Sequence, residues 1–386
     1  MAPSYDIDFY AREVIEDPYP HYREIRRRGA AVWLPRNSLW AVGRHEDVRA
    51  ALRASDVLIS GKGVSNNRFM NNELQVATLV CDGERHRLFR SLVMKPITSA
   101  QMKRLRGRIV ERAEEVVDRL VGNGPFEGMA DFAQVIPLSI VSHLVGLPEE
   151  GRENMLPWAA ATFDMLGSLN ELGRGAMPLV RESFEYAASL SREDVDPDGW
   201  AAMLFDAAEQ GKVDRSAVPG LLQDYVAPSL DTAIFAIGHM LDLLGRHPRQ
   251  WQQIRADPKL VASAVNEVLR YEAPIRALSR YVTEDFAVGD RVLPEGSRAL
   301  VIYASGNRDE RRYPDPDRFD IHRSNNDHLG FGYGVHHCLG VHLAKLEMSS
   351  LLEVMARRVE HIEVGKPELV ANNVLRGFAS IPVEFR

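Results

Sequence analysis

The stretch from Phe331 to Gly340, FGYGVHHCLG, constrains this chain more than any other. It places Cys338 in a glycine-rich turn directly before a helix-forming run, VHLAKLEMSSLLEVMARR. A cysteine in that position can serve as a thiolate ligand to a metal. Gly332, Gly334 and Gly340 permit tight turns and let a flat ligand approach the backbone closely. A helix starting near Leu339 aims its positive end and free N–H groups at the sulfur, which favours the thiolate. Taken alone, Cys338 reads more simply as a buried structural thiol; the pattern around it is what points to a ligand.

A length of 386 residues suggests two or three domains. Yet no long Pro/Gly/Ser tract, block of like charge or internal repeat divides the chain. A single large domain over residues 1–386 is therefore expected. The net charge of −7 argues against a nucleic-acid partner. The two cysteines, Cys81 and Cys338, give no disulfide framework and suit a reducing compartment. Charges and prolines break up the N-terminal segment, so it reads as neither a signal peptide nor a membrane anchor. A soluble, cytoplasmic, monomeric protein is expected.

Apolar spacing and breakers predict helices over 19–28, 46–54, 83–93, 99–121 and 132–144. Residues 150–210 read as helix interrupted at Gly167, Gly173 and Gly175. A long apolar run, 219–244, predicts a central helix, and another helix is predicted over 258–271. Short β-like pieces fall at 31–34, 39–42, 275–282, 286–288, 299–303 and the C-terminus. The expected class is mainly α with a minor β portion.

The pattern Phe331–x–x–Gly334–x–His336–x–Cys338–x–Gly340 resembles the haem-binding loop of cytochromes P450. The resemblance covers essentially the whole chain and implies the P450 fold with a cysteine-ligated haem b. Cys338 would be the iron ligand, with Phe331 and Gly340 against the cofactor. A single thiolate on haem iron pushes electron density toward oxygen and promotes O–O cleavage. Glu267 and Arg270, at i and i+3, are by themselves an ordinary helix pair, but they match the family's ExxR motif. The resemblance adds Arg318, from Pro316–Asp317–Arg318–Phe319, to make a structural network beneath the haem. Propionates need cationic or N–H partners. By resemblance these are His86 and Arg90 (the HxxxR pair), Arg280 and His336.

In the central helix, Ala227–Pro228–Ser229–Leu230–Asp231–Thr232 resembles the family's oxygen-activation segment. Thr232 would stabilise the oxygen being activated, and Asp231 would help deliver protons. Pro228 and Ser229 depart from the usual small pair. Proline removes an N–H and clashes with the carbonyl four residues earlier, so a kink freeing Asp224 O is expected. A harmless kink is the plain alternative.

Monooxygenation uses O2 as co-substrate and two electrons from outside. The chain runs only about fifty residues past Cys338, so a separate ferredoxin or flavodoxin with its NAD(P)H reductase is expected. Arg104, Arg106, Arg108 and Lys345 are candidates for its docking patch, or an ordinary set of solvated charges. The expected substrate pocket draws on Val64, Asn67, Phe69, Phe163, Leu166, Ser229, Ala277, Leu278 and Phe378. That mixture suits a small, weakly polar organic molecule. Gly63–Val64 with Asn67, and the 227–232 segment, resemble bacterial P450s that act on small, including methoxylated, aromatics. Only Arg68 and Arg276 are near enough in sequence to clamp a carboxylate, which tilts the reading toward a neutral phenol or aryl ether such as guaiacol or syringol. Hydroxylation of an O-methyl carbon would release formaldehyde. A tailoring hydroxylase of secondary metabolism, a peroxide-driven P450 and a non-catalytic haem sensor are the alternatives; Asp231–Thr232 argues against peroxide dependence.

Overall fold

The computed structural model describes residues 3–73, 77–324 and 327–386. The central helix, Val218–Arg246, organises the rest. It carries buried apolar residues on all sides, including Leu221, Val226, Leu230, Ile234, Ile237 and Leu241. A helix that is apolar all round must be covered on every face. Here the cover comes from Met155–Met165, Val135–Val145, Glu171–Ser189, Val261–Tyr271 and Val341–Arg358, among others. The helix stays unbroken through Pro228. Pro228 still withholds the amide that would bond Asp224 O, so that carbonyl loses its usual partner without a break in the helix. The hydroxyl of Thr232 donates to Pro228 O at 2.7 Å, adding a side-chain bond beside the missing amide.

Strands contribute a five-stranded sheet in the order Val32–Leu34, Leu39–Val42, Arg298–Val301, Leu278–Val282, Leu58–Ile59. Leu39–Val42 and Arg298–Val301 pair in parallel; the other neighbours are antiparallel. The hairpin turn at Asn37–Ser38 uses a positive φ of 51° at Ser38. The sheet matters for the site because Leu278–Val282 carries Arg280 inward, where it is buried.

Gly173 and Gly175 do not interrupt the chain; both lie inside the helix Glu171–Ser189. That helix buries Ala176, Val180, Ser183 and Ala187, a stripe at helical spacing whose packing outweighs the glycines. Gly167 does mark a break, between Met155–Met165 and Glu171–Ser189.

Candidate active site

Cys338 sits on a loop shaped by two left-handed glycines, Gly332 (φ 68°) and Gly334 (φ 77°). A Cβ on Gly334 would come within 2.5 Å of Leu52 O, so the loop lies hard against the helix His45–Arg53. The Cys338 N–H donates to Phe331 O at 3.0 Å and closes the turn. The next helix begins at Val341, with Gly340 as its N-cap. The N–H groups of Gly340 and Val341 point at the sulfur. Burial pushes the thiol pKa up, and these two amides with the Arg90 guanidinium oppose it without reversing it. Coordination to a cation deprotonates such a thiol.

Above the sulfur lies a cavity of about 300 Å³. Cys338, Phe331, Gly340 and Leu343 line its lower side, and Phe163, Leu166, Ala227, Pro228, Ser229 and Thr232 line its upper side. Arg90, Arg280 and His336 line one rim, and His86, which does not itself line the cavity, packs behind His336. Arg90 and His86 come from the helix Gly83–Met94, Arg280 from the sheet, and His336 from the cysteine loop. The two imidazole rings are 4.3 Å apart, and both Nε2 atoms are buried without a hydrogen-bond partner among the described residues. Asp82 Oδ1 is 3.8 Å from His336 Nε2, beyond hydrogen-bond reach. Arg90 donates to His337 O at 2.8 Å and Arg280 to Ser279 O at 2.8 Å. Among the described residues neither guanidinium is paired with a carboxylate. Orphaned imidazole nitrogens and two guanidiniums without a carboxylate, Arg280 buried and Arg90 half-buried, fit a flat ligand with two negative charges, and the thiol below fits its metal. The residues present therefore fit a haem.

Beneath the loop, Arg270 donates to both oxygens of Glu267, at 2.7 and 2.8 Å, with both side chains buried. Its remaining donors reach Asn307 O, Pro316 O and Arg318 O. Arg318 itself corrects the sequence reading. Its side chain is 67% exposed and turns to Asp320, so only its carbonyl joins the network. Phe319, its neighbour, takes the inward position and is buried. The further arginine near Glu267 is Arg323, 3.4 Å away.

Asp231 and Thr232 diverge from adjacent positions. Thr232 lines the cavity, whereas Asp231 is buried with Oδ2 unpartnered among the described residues. Burial, helped by the Asp164 carboxylate, raises Asp231 to about 7. Phe163, Leu166, Ser229 and Leu278 line the cavity as expected from sequence. Five other candidates do not. Val64 O accepts from Ser279 N, and Asn67 is spent on Met165 O and Met70 N. Phe69 is 43% exposed, Ala277 packs in a separate apolar cluster, and Phe378 packs on His239. Arg276 is buried against Tyr22 and the Phe9 carbonyl, and Arg68 is exposed. In their place stand Thr78, Gln223 and Asp224. The reading missed these because they meet only through the packing of Thr78–Val80 on the central helix. Of the expected docking cations, Arg106 pairs with Glu353 at 2.8 Å, Arg108 contacts His143, and Lys345 sits 5.6 Å above the Phe331 ring.

A family model described as cytochrome P450 matches residues 240–385. The chain is 33% identical over 389 residues to cytochrome p450 CYP199A2 of Rhodopseudomonas palustris, covering 99% of this chain and 94% of the relative. It is 29% identical to the cytochrome P450 monooxygenase PikC of Streptomyces venezuelae, covering 100% of this chain and 95% of that one. Among solved structures it resembles CYP109Q5 from Chondromyces apiculatus, with a TM-score of 0.83, 30% identity and 98% of each chain covered.

Proposed function

Because the chain belongs to the cytochrome P450 family, we propose that it hydroxylates or O-demethylates a small, weakly polar aromatic, with a methoxyphenol of the guaiacol or syringol type as the substrate class. Membership makes it a haem-thiolate monooxygenase that draws electrons from a redox partner. Bound haem supplies oxygen activation and attack on a C–H bond. We assign Cys338 as its ligand, His86, Arg90, Arg280 and His336 as its propionate partners, and Glu267 with Arg270 as the support beneath it. A small ferredoxin or flavodoxin with its reductase is the proposed electron source.

The chain's own residues then do three things. Phe163, Leu166 and Leu278 present an apolar wall that favours a ring over water. Thr232 already donates its proton to Pro228 O, so its oxygen is left to accept a hydrogen bond from a group in the cavity. Asp231, titrating at about 7, can hold and release a proton at Oδ2 under working conditions. The observation that carries the substrate class is the lining. Its guanidinium groups, Arg90 and Arg280, both belong to the rim with His336, and no lysine or arginine among the described residues faces the upper wall. A benzoate would lack a partner there.

The test is a spin-state titration of the ferric protein with guaiacol, syringol and benzoate analogues, followed by formaldehyde assay with ferredoxin, reductase and NADH. Methoxyphenols should shift the Soret band and release formaldehyde in proportion to turnover. Silence across that panel would move the assignment to a tailoring hydroxylase.

A further inference from the structure

Among the described residues, the upper wall carries one carboxyl that oxygen activation does not use. Asp224 lies one helical turn before Pro228 and lines the cavity. Its Oδ2 accepts two hydrogen bonds from Thr78, from the backbone N–H at 2.8 Å and from the hydroxyl at 2.6 Å. These bonds fix the carboxyl in place. Oδ1 accepts none from the described residues. The neighbouring polar groups are committed elsewhere: Gln223 Nε2 donates to Ser183 O, and the Thr162 hydroxyl donates to Trp158 O. No cation among the described residues of this wall neutralises the carboxyl. A half-buried carboxylate with one oxygen held and the other facing an apolar cavity gains from any ligand donor that reaches it.

We propose that Asp224 is the substrate-recognition residue of this cavity, and that its partner is a hydrogen-bond donor on the ring, a phenolic hydroxyl or an amine nitrogen. The assignment rests on the reading of this cavity as the substrate chamber. Charge decides the sign of selectivity. A carboxylate ligand meets a like charge, an ether offers no donor, and a hydroxyl or ammonium satisfies Oδ1 directly. Site-built donor–acceptor pairs discriminate strongly because the analogue without the donor leaves the protein group unmet.

Binding to the haem-loaded ferric protein, followed by calorimetry and the Soret shift, tests this with pairs that differ by one donor. Guaiacol and 1,2-dimethoxybenzene form the methoxylated pair. 4-Ethylphenol and 4-ethyltoluene form a pair without a methoxy group, and 2-methoxybenzylamine separates an ammonium donor from a hydroxyl. The donor-bearing member of each pair should bind at least tenfold more tightly. Asp224→Ala should remove that preference while leaving the reduced-CO spectrum and Tm near wild type. Asp224→Asn, whose carbonyl is taken by the two Thr78 donors and whose amide N–H then faces the ligand, should lose the preference for the phenol and the amine alike. Thr78→Val, which keeps the carboxylate and loses one of its anchors, should weaken the preference in part. A preference unchanged in Asp224→Ala, or no preference in the wild type, overturns the assignment. If the ethyl pair shows it and no methoxylated compound binds, the demethylation reading fails and Asp224 stands.

Discussion

At the scale of single residues, the decisive groups are carboxyls held where water cannot reach them. Asp231 titrates at about 7 because burial, with Asp164 nearby, penalises its charge. It can therefore give up a proton near neutrality, which an exposed aspartate cannot do. Product formation limited by that transfer should fall as pH rises through about 7. Asp231→Asn should flatten this profile, slow turnover by about 10²-fold, and raise the NADH consumed per product, with the substrate-induced spectral shift retained. Glu347 is a second such group, buried, with Oε1 unpartnered among the described residues and its titration raised to about 8. Its folded-state value lies above the unfolded one, so the folded protein binds the extra proton between about 4.5 and 8. Stability from this group is full below that window and is lost as pH rises through it. Glu347→Gln should therefore raise Tm at pH near 8 relative to wild type, and the difference should vanish near pH 4.5. Parallel melts across pH check this.

At the scale of elements, the helix Tyr19–Arg28 was legible to its last residue, since Pro20 opens it and Gly29 closes it. The cysteine loop was legible too, because its glycines need positive φ and its helix needs an N-terminus at the sulfur. What escaped the sequence was anything decided by a return of the chain. The helix Pro248–Ala256 buries only Trp251 and Ile254, too sparse a stripe to stand out. Arg318 shares a motif with Phe319, but the inward side of that turn belongs to the phenylalanine, and Arg323 returns to Glu267. A pair of variants separates the two. Arg318→Ala should leave Tm within about 1 °C of wild type, since exposed ion pairs contribute little. Arg323→Ala, which leaves the buried Glu267 with one cation fewer, should cost about 1–3 kcal/mol in urea unfolding. The central helix invites the reverse experiment. Pro228 withholds an amide from the ladder without breaking the helix. Pro228→Ala should raise Tm, and should alter ligand affinity as well because the residue lines the cavity.

At the scale of the whole molecule, the rim of the cavity gathers side chains from parts of the chain nearly 250 residues apart: Arg90 reaches His337 O across a separation of 247. Each of these groups is expensive to bury without a partner. The two imidazole nitrogens without a partner among the described residues would each cost about 1–3 kcal/mol on the usual scale for an unmet polar group, and the buried Arg280 has no carboxylate against its charge. A dianionic cofactor seated among them removes that cost from several elements at once. Its binding energy is then folding energy for the protein as a whole. Haem-stripped protein should melt at a lower temperature than the holoprotein and less cooperatively. The rim should also set how long the haem stays. Arg280→Leu should release haem to excess apomyoglobin at least tenfold faster than wild type, which corresponds to about 1.4 kcal/mol, while Arg318→Ala should release it at the wild-type rate. Equal rates for Arg280→Leu and wild type would show that the rim does not hold the cofactor's charges, whatever Cys338 does below.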